Sequence, residues 1–372
     1  ATQDQVALSV LTSVFAVWTA ACGALVVLIW GSIGAFYVSE LLNAVLTTAV
    51  VRVYARRRIG RFGGTSTFRG EYLKALVRES VGLIWTNGIG GLITQLDRLF
   101  ISRLLPATSL GTYVAATAGG RLLSMVYAPF FQASYPQLCE LVATEGGAEK
   151  AGPVVIRNAR IVAIACLSVG VPLAVFAEDF LAVWTRSAVV ATQGGLAMGI
   201  YIGGSILIAF ASVLYQAQVA MRIIRPSVVF NTAAIVWFPL TLWFLVSGWG
   251  IAGAACAWLC YGLATWLVSV VVTGGLVGRP GWWRGYLVGL LPVVVLAAGL
   301  TALARVVADT FTQQPLIRIA LAVLGGALIL MSAVLVTFGG ALPREIKAIW
   351  RRRPSTAGDP GPSRPDAPRS EA

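Results

Sequence analysis

Apolar residues in this chain gather into unbroken runs of roughly twenty, the length an α-helix needs to cross a bilayer. Ten such spans can be drawn, roughly at 6–30, 33–53, 75–105, 109–134, 154–175, 196–220, 227–247, 250–275, 286–306 and 317–339. The runs are continuous rather than alternating, so they predict helices and not the strands of a membrane barrel. Three connections are more than turns. Residues 56–79 mix arginines with Phe62, Phe68 and Tyr72, the pattern of a helix lying at the membrane interface. Residues 139–152 are polar and glycine-rich and predict a mobile loop. Residues 177–192 carry Glu178, Asp179 and Trp184, an interfacial anchor by composition.

Polar residues inside the spans fall on defined faces. In the third span Asn87, Gly91, Thr94, Arg98 and Ser102 recur at helical spacing, beside the glycines 88, 90 and 91, which predict a bend. In the fourth, Thr117, Arg121 and Ser124 share a face, and Gly119 and Gly120 permit a close neighbour. Arg121 sits about 18 Å from the nearer end of its span by the helix rise, close to the midplane. A charge there is costly unless it meets a partner or a wet cavity. Arg121 therefore either pairs with a carboxylate or faces a cavity, and the scarcity of acids in the spans favours the cavity. Asp97, beside Arg98, serves as a structural pair or as a coupling-ion group. Glu40, Asn43 and Thr47 line one face of the second span, and Glu40 is an alternative partner or proton carrier. Arg103, near the end of the third span, can snorkel to the interface. Ser205, Ser212 and Gln216, and separately Asn231, read as interhelical hydrogen bonds.

Composition strengthens the membrane assignment. Of 372 residues, 58% are hydrophobic and 12% charged, with a mean hydropathy of +0.81, whereas soluble domains carry about a quarter charged residues. The net charge of +13 is explained by alternate loops loaded with arginine and lysine rather than by nucleic-acid binding. Those loops hold Arg52 to Arg78, Arg157 and Arg160, Arg222 and Arg225, Arg279 and Arg284, and the segment after Arg344. The opposite loops are nearly free of basic residues, apart from Arg186 and the edge residues Arg305 and Arg318. The basic side is therefore expected to be cytoplasmic, with both ends of the chain on it. Residues 341–372 read as a basic, disordered tail. The chain begins at Ala1 and enters a full span almost at once, which does not describe a signal peptide and reads as the middle of a larger protein.

Catalytic and cofactor signals are weak. The sequence has no histidine, and its five cysteines lie in or beside apolar spans without metal-site or disulfide spacing. Gly248–Gly253 matches G-x-G-x-x-G but joins two membrane helices instead of following a strand, so it reads as small-residue packing. No P-loop is present. Neither an enzyme activity nor a cofactor or metal is expected.

The segment TQLDRLFISRLLPATSLGTYVAATAGGRLLSMVYAPFFQASYPQL resembles the seventh and eighth helices of bacterial polysaccharide transporters. These are the O-antigen-type lipid-linked oligosaccharide flippases of the multidrug/oligosaccharidyl-lipid/polysaccharide exporter superfamily. The shared pieces are Asp97-Arg98, Gly111 with Tyr113, and Pro136, followed in order by FAEDFLAVW (176–184) and GIAGAACAW (250–258). The resemblance implies an all-α integral membrane fold of fourteen helices in two lobes, of which this chain lacks the first four. Residues 1–54 would close the N-lobe, 55–74 form a basic linker, 75–277 the C-lobe and 286–340 a terminal pair. It implies translocation of undecaprenyl-diphosphate-linked repeat units across the bacterial inner membrane for O-antigen, capsule or exopolysaccharide, beside polymerase and chain-length partners. On that reading Arg98, Arg121 and Arg103 contact the head group, since a guanidinium fork suits phosphate. Asp97 and Glu40 couple or hold those arginines, and Asn43, Asn87, Thr94 and Thr117 are polar cavity residues. A cation-coupled multidrug exporter and a membrane glycosyltransferase or ligase are the competing classes.

Overall fold

The computed structural model describes residues 5–60, 70–144, 146–277 and 281–338. Its elements are α1 (Gln5–Trp30), α2 (Ile33–Gly60), α3 (Gly70–Leu104), α4 (Ala107–Val142) and α5 (Gly147–Val175). These are followed by α6 (Ala177–Thr185), α7 (Ala188–Ala220), α8 (Arg225–Val277), α9 (Trp282–Phe311) and α10 (Pro315–Phe338). The fold is all-α, with no strand among the described residues. Six of these helices are long and apolar enough to cross a membrane, and the chain is a multi-pass membrane protein. α8 counts once among the six although it is long enough to cross twice: its 53 residues would extend about 80 Å at 1.5 Å each. At Gly250 the backbone turns to φ 57° and ψ −134°. The turn is tight enough that a Cβ on Gly253 would collide with the carbonyl of Leu245. α3 and α4 match the others in length, at 35 and 36 residues, but are not among the six.

Two compact units make up the chain, Ala1–Ala75 and Leu76–Ala372. In the first, α1 packs on α2: the Trp18 indole N–H donates to Asn43 Oδ1 at 3.1 Å. Gly23 lies against the Phe36 ring and the Glu40 carboxylate. Much of the remaining apolar surface is exposed, with Leu28 at 82% and Ile33 at 76%, as expected of helices that bury their outer faces in lipid.

The second unit is built around α7, which touches α4, α5, α6 and α8, while α5 also carries α9 and α10. Met198, Ile202 and Leu214 of α7 are fully buried. Small residues let the backbones approach. A Cβ on Gly120 would fall 2.6 Å from Ser205 Oγ, and one on Gly204 would fall 3.0 Å from the Leu259 backbone. Interhelical hydrogen bonds add to this packing. Gln218 Nε2 donates to Thr273 Oγ1 at 3.1 Å, and the Tyr261 hydroxyl donates to Asn231 Oδ1 at 3.1 Å.

Several connections differ from the sequence expectation. Residues 177–185 form a helix whose Ala177 and Leu181 are buried. Its acidic Asp179 is held there by Arg305 and Arg318 of α9 and α10, while Trp184 stays exposed. Between 139 and 152, α4 continues to Val142 and α5 starts at Gly147, which leaves only a short turn. From Gly70 the chain is already part of α3, so no separate interfacial helix precedes it among the described residues; residues 61–69 lie outside them. The glycines at 88, 90 and 91 do not break α3, which stays helical throughout, and each has open space where a Cβ would stand. Gly250 is a turn residue rather than a packing contact. The tail 341–372 lies outside the described residues.

Candidate functional site

A cavity of about 490 Å³ opens between α3, α4, α7 and the second half of α8. Its lining consists of Thr94, Gln95 and Arg98 from α3, Gly120 and Arg121 from α4, Tyr201 and Ser205 from α7, and Trp258 from α8. The volume falls within the range of ligand pockets, about 300–1,000 Å³. The spacing 94, 95, 98 puts three polar side chains on one turn of α3. On α4, Gly120 precedes Arg121, and its missing Cβ lets Tyr201 and Ser205 reach the seam.

The floor is rigid. Tyr201 and Trp258 stack with centroids 5.1 Å apart and planes 6° from parallel, and Trp258 continues onto Tyr261 at 5.7 Å. The Trp258 indole N–H donates to Ser205 Oγ at 3.2 Å. On its other side Tyr201 meets Tyr113 edge-on, at 6.3 Å and 89°. The stacked rings form one wall of the cavity.

Its electrostatics are one-sided: among the described residues two guanidinium groups line the cavity and no carboxylate does. Arg98 makes one long side-chain hydrogen bond, from Nη1 to Gln95 Oε1 at 3.4 Å. The Arg121 guanidinium has no hydrogen-bond or ion-pair partner among the described residues. The nearest acid in sequence, Asp97, is 2% exposed and turned away. Its Oδ2 accepts from the Tyr113 hydroxyl at 2.8 Å and its Oδ1 accepts from the Arg98 backbone N–H at 2.7 Å. Asp97 therefore joins α3 to α4 across their turn, and it interacts with Arg98 by charge without bridging its guanidinium.

The other sequence candidates are spread more widely. Thr94 lines the cavity, with its hydroxyl donated to the Gly91 carbonyl at 2.7 Å. Thr117 is buried and donates to the Val114 carbonyl at 3.1 Å. Asn87 is exposed and lies outside the lining, as does Arg103 in the last turn of α3. Glu40 and Asn43 belong to the first unit, where Asn43 is engaged by Trp18. The lining residues Gln95, Tyr201 and Trp258 were not among the candidates. Gln95 was legible as the i−3 neighbour of Arg98, whereas the two aromatics come from helices far along the chain.

Residues 1–142 match a family model described as polysaccharide biosynthesis protein. That stretch contains both arginines of the cavity. No curated protein matches the chain in sequence. Among solved structures, the chain is similar in fold to the lipid II flippase MurJ in an inward closed conformation, with a TM-score of 0.62 and 11% identity. The similarity covers 87% of this chain and 65% of that structure, so the chain spans just under two thirds of its relative's length. The sequence match to the polysaccharide biosynthesis family thus covers residues 1–142, and the likeness to the flippase structure is one of fold over most of the chain.

Proposed function

We propose that this chain acts in flipping polyprenyl-diphosphate-linked oligosaccharides, with the arginine cavity as its diphosphate site. The observation that carries the reading is a pair of arginines, Arg98 and Arg121, that share a cavity with no acid in its lining among the described residues. A cation in that position is costly without a counter-charge. A diphosphate supplies one, and each guanidinium can bind two of its oxygens. The family match and the fold of a lipid flippase support a lipid-linked substrate.

In the finer reading, the substrate is an undecaprenyl-diphosphate repeat unit of O-antigen, capsule or exopolysaccharide. The protein works in the inner membrane with both ends of this chain cytoplasmic, and hands its product to a polymerase and chain-length partners. Asp97 and Tyr113 position α3 against α4 so that Arg98 faces the cavity.

A deletion strain tests the function directly. Lipid-linked repeat units should accumulate on the cytoplasmic leaflet and surface polysaccharide should vanish. Repeat units found unpolymerised or unligated on the outer leaflet would place the defect after translocation and sink the reading.

A further inference from the structure

The polar stripe on α7 does not stop at the arginine cavity. Ser205 belongs to that cavity, and Ser212 and Gln216, two and three turns further along, line a second pocket of about 180 Å³ between α4, α5 and α7. The shift along the helix is about 10–16 Å by its rise, toward the side on which the basic loops lie.

This second pocket has an unmet hydrogen-bonding need. Asn158 of α5 lines it, is 7% exposed, and its Nδ2 has no partner among the described residues. A buried donor left unpaired is destabilising. The neighbouring polar groups bond to one another and to the helix backbones. Gln216 Nε2 donates to the Phe131 carbonyl, Gln216 Oε1 accepts from Ser134 Oγ at 2.9 Å, and Gln137 Oε1 accepts from Arg157 at 3.2 Å. The Ser212 hydroxyl donates to the Ala209 carbonyl at 2.7 Å. No acceptor among the described residues meets this amide, and an oxygen-bearing occupant of the pocket can supply one.

The rest of the wall narrows the occupant's chemistry. Tyr127, Phe130 and Phe131 supply aromatic surface, and among the described residues no guanidinium or carboxylate lines the pocket. A neutral ligand with hydroxyl oxygens on its rim and an apolar C–H face satisfies both halves, and a pyranose ring has that form. Ligand pockets combine mainly apolar walls with a few placed polar groups in this way. The volume suits a single ring, since it equals roughly six waters at about 30 Å³ each.

We propose that this pocket is a sugar subsite, holding one hexopyranose unit of the head group while its diphosphate lies at Arg98 and Arg121. The inference rests on the flippase reading above and adds the sugar-recognising residue, Asn158.

Binding to the purified full-length protein tests it. The probes are farnesyl diphosphate and its conjugates with glucose, galactose or N-acetylglucosamine. At least one conjugate should bind about tenfold more tightly than farnesyl diphosphate, the gain from one satisfied buried amide and ring contact. Asn158→Leu should erase that gain. Ser212→Met, which fills the pocket from another helix, should do the same if the first variant folds poorly. Equal binding of all four probes by the wild type, or a gain that survives in both variants, would overturn the subsite and mark the pocket as one that holds only water. Arg121→Ala should weaken all four probes together. Failure of the wild type to bind any of them would reject the diphosphate site as well, and the subsite with it.

Discussion

Arg305 and Arg318 in the terminal helices, and Arg98 and Arg121 in the cavity, are handled in opposite ways. Arg305 bridges Asp179 at 3.1 Å and Asp309 at 3.2 Å. Arg318 bridges Asp179 at 3.3 Å and also reaches Asp309. Arg305 additionally lies over the Phe176 ring at 5.4 Å. Two cations and two anions thus close on themselves and tie α6 to α9 and α10. The cavity arginines have the same chemistry and no such closure. Where a protein needs an arginine only to fasten helices, it supplies the acid in cis. An arginine left open in a cavity is one whose counter-charge comes from outside.

The largest expected effect separates the two groups by function. In the full-length protein, Arg121→Ala should abolish surface polysaccharide at unchanged protein level, and Arg121→Lys should restore part of it, because a point charge replaces a fork. Thermal stability in detergent should stay level or rise, since an unpartnered charge has been removed. Normal polysaccharide in the alanine variant would reduce Arg121 to a spectator.

A smaller effect runs the other way. Asp179→Ala leaves both outer arginines with Asp309 alone. Breaking a fully buried pair costs about 3–5 kcal/mol. Here Arg318 and Asp179 are nearly buried while Arg305 is 35% exposed, so the expected loss is about 2–3 kcal/mol after solvent screening. Thermal unfolding should show it as a clear drop in Tm, with translocation retained below that temperature. If Asp179→Ala leaves Tm unchanged, the cluster is not a fastening and the contrast with the cavity weakens.

How much of this was readable beforehand follows from where each partner lies. Hydropathy marked the helices because lipid selects long apolar runs, and Gly250 could turn the chain back only where two runs met. Arg98 and Thr94 were placed on one face because about four residues make one helical turn. The Asp97–Tyr113 bond links residues 16 apart, and both stand in the family segment, yet only the packed α3–α4 turn shows that the acid bonds the tyrosine as well as the Arg98 backbone. Segment 177–185 was read as an interfacial anchor because Glu178, Asp179 and Trp184 interrupt its apolar residues. The arginine that satisfies Asp179 lies 126 residues later, beyond any local pattern. The aromatic floor was missed for the same reason: Tyr201 and Trp258 acquire meaning only when Gly120 and Gly204 let their helices meet.

Arg103 gives the smallest expected effect and the cleanest control on the comparison. It follows Arg98 by little more than one turn of α3, is exposed, and belongs neither to the cavity lining nor to the ion pairs among the described residues. Near the end of a membrane helix a long cationic side chain can reach the interface and stay hydrated. Removing it therefore strands no partner and vacates no site. Arg103→Ala should change stability by no more than about 0.5 kcal/mol, the usual range for an exposed residue away from any special contact, and leave surface polysaccharide within about twofold of wild type. A loss comparable to that of Arg121→Ala would show that the head group is gripped beyond the cavity, and that an arginine's openness, wherever it lies along α3, is what the substrate reads.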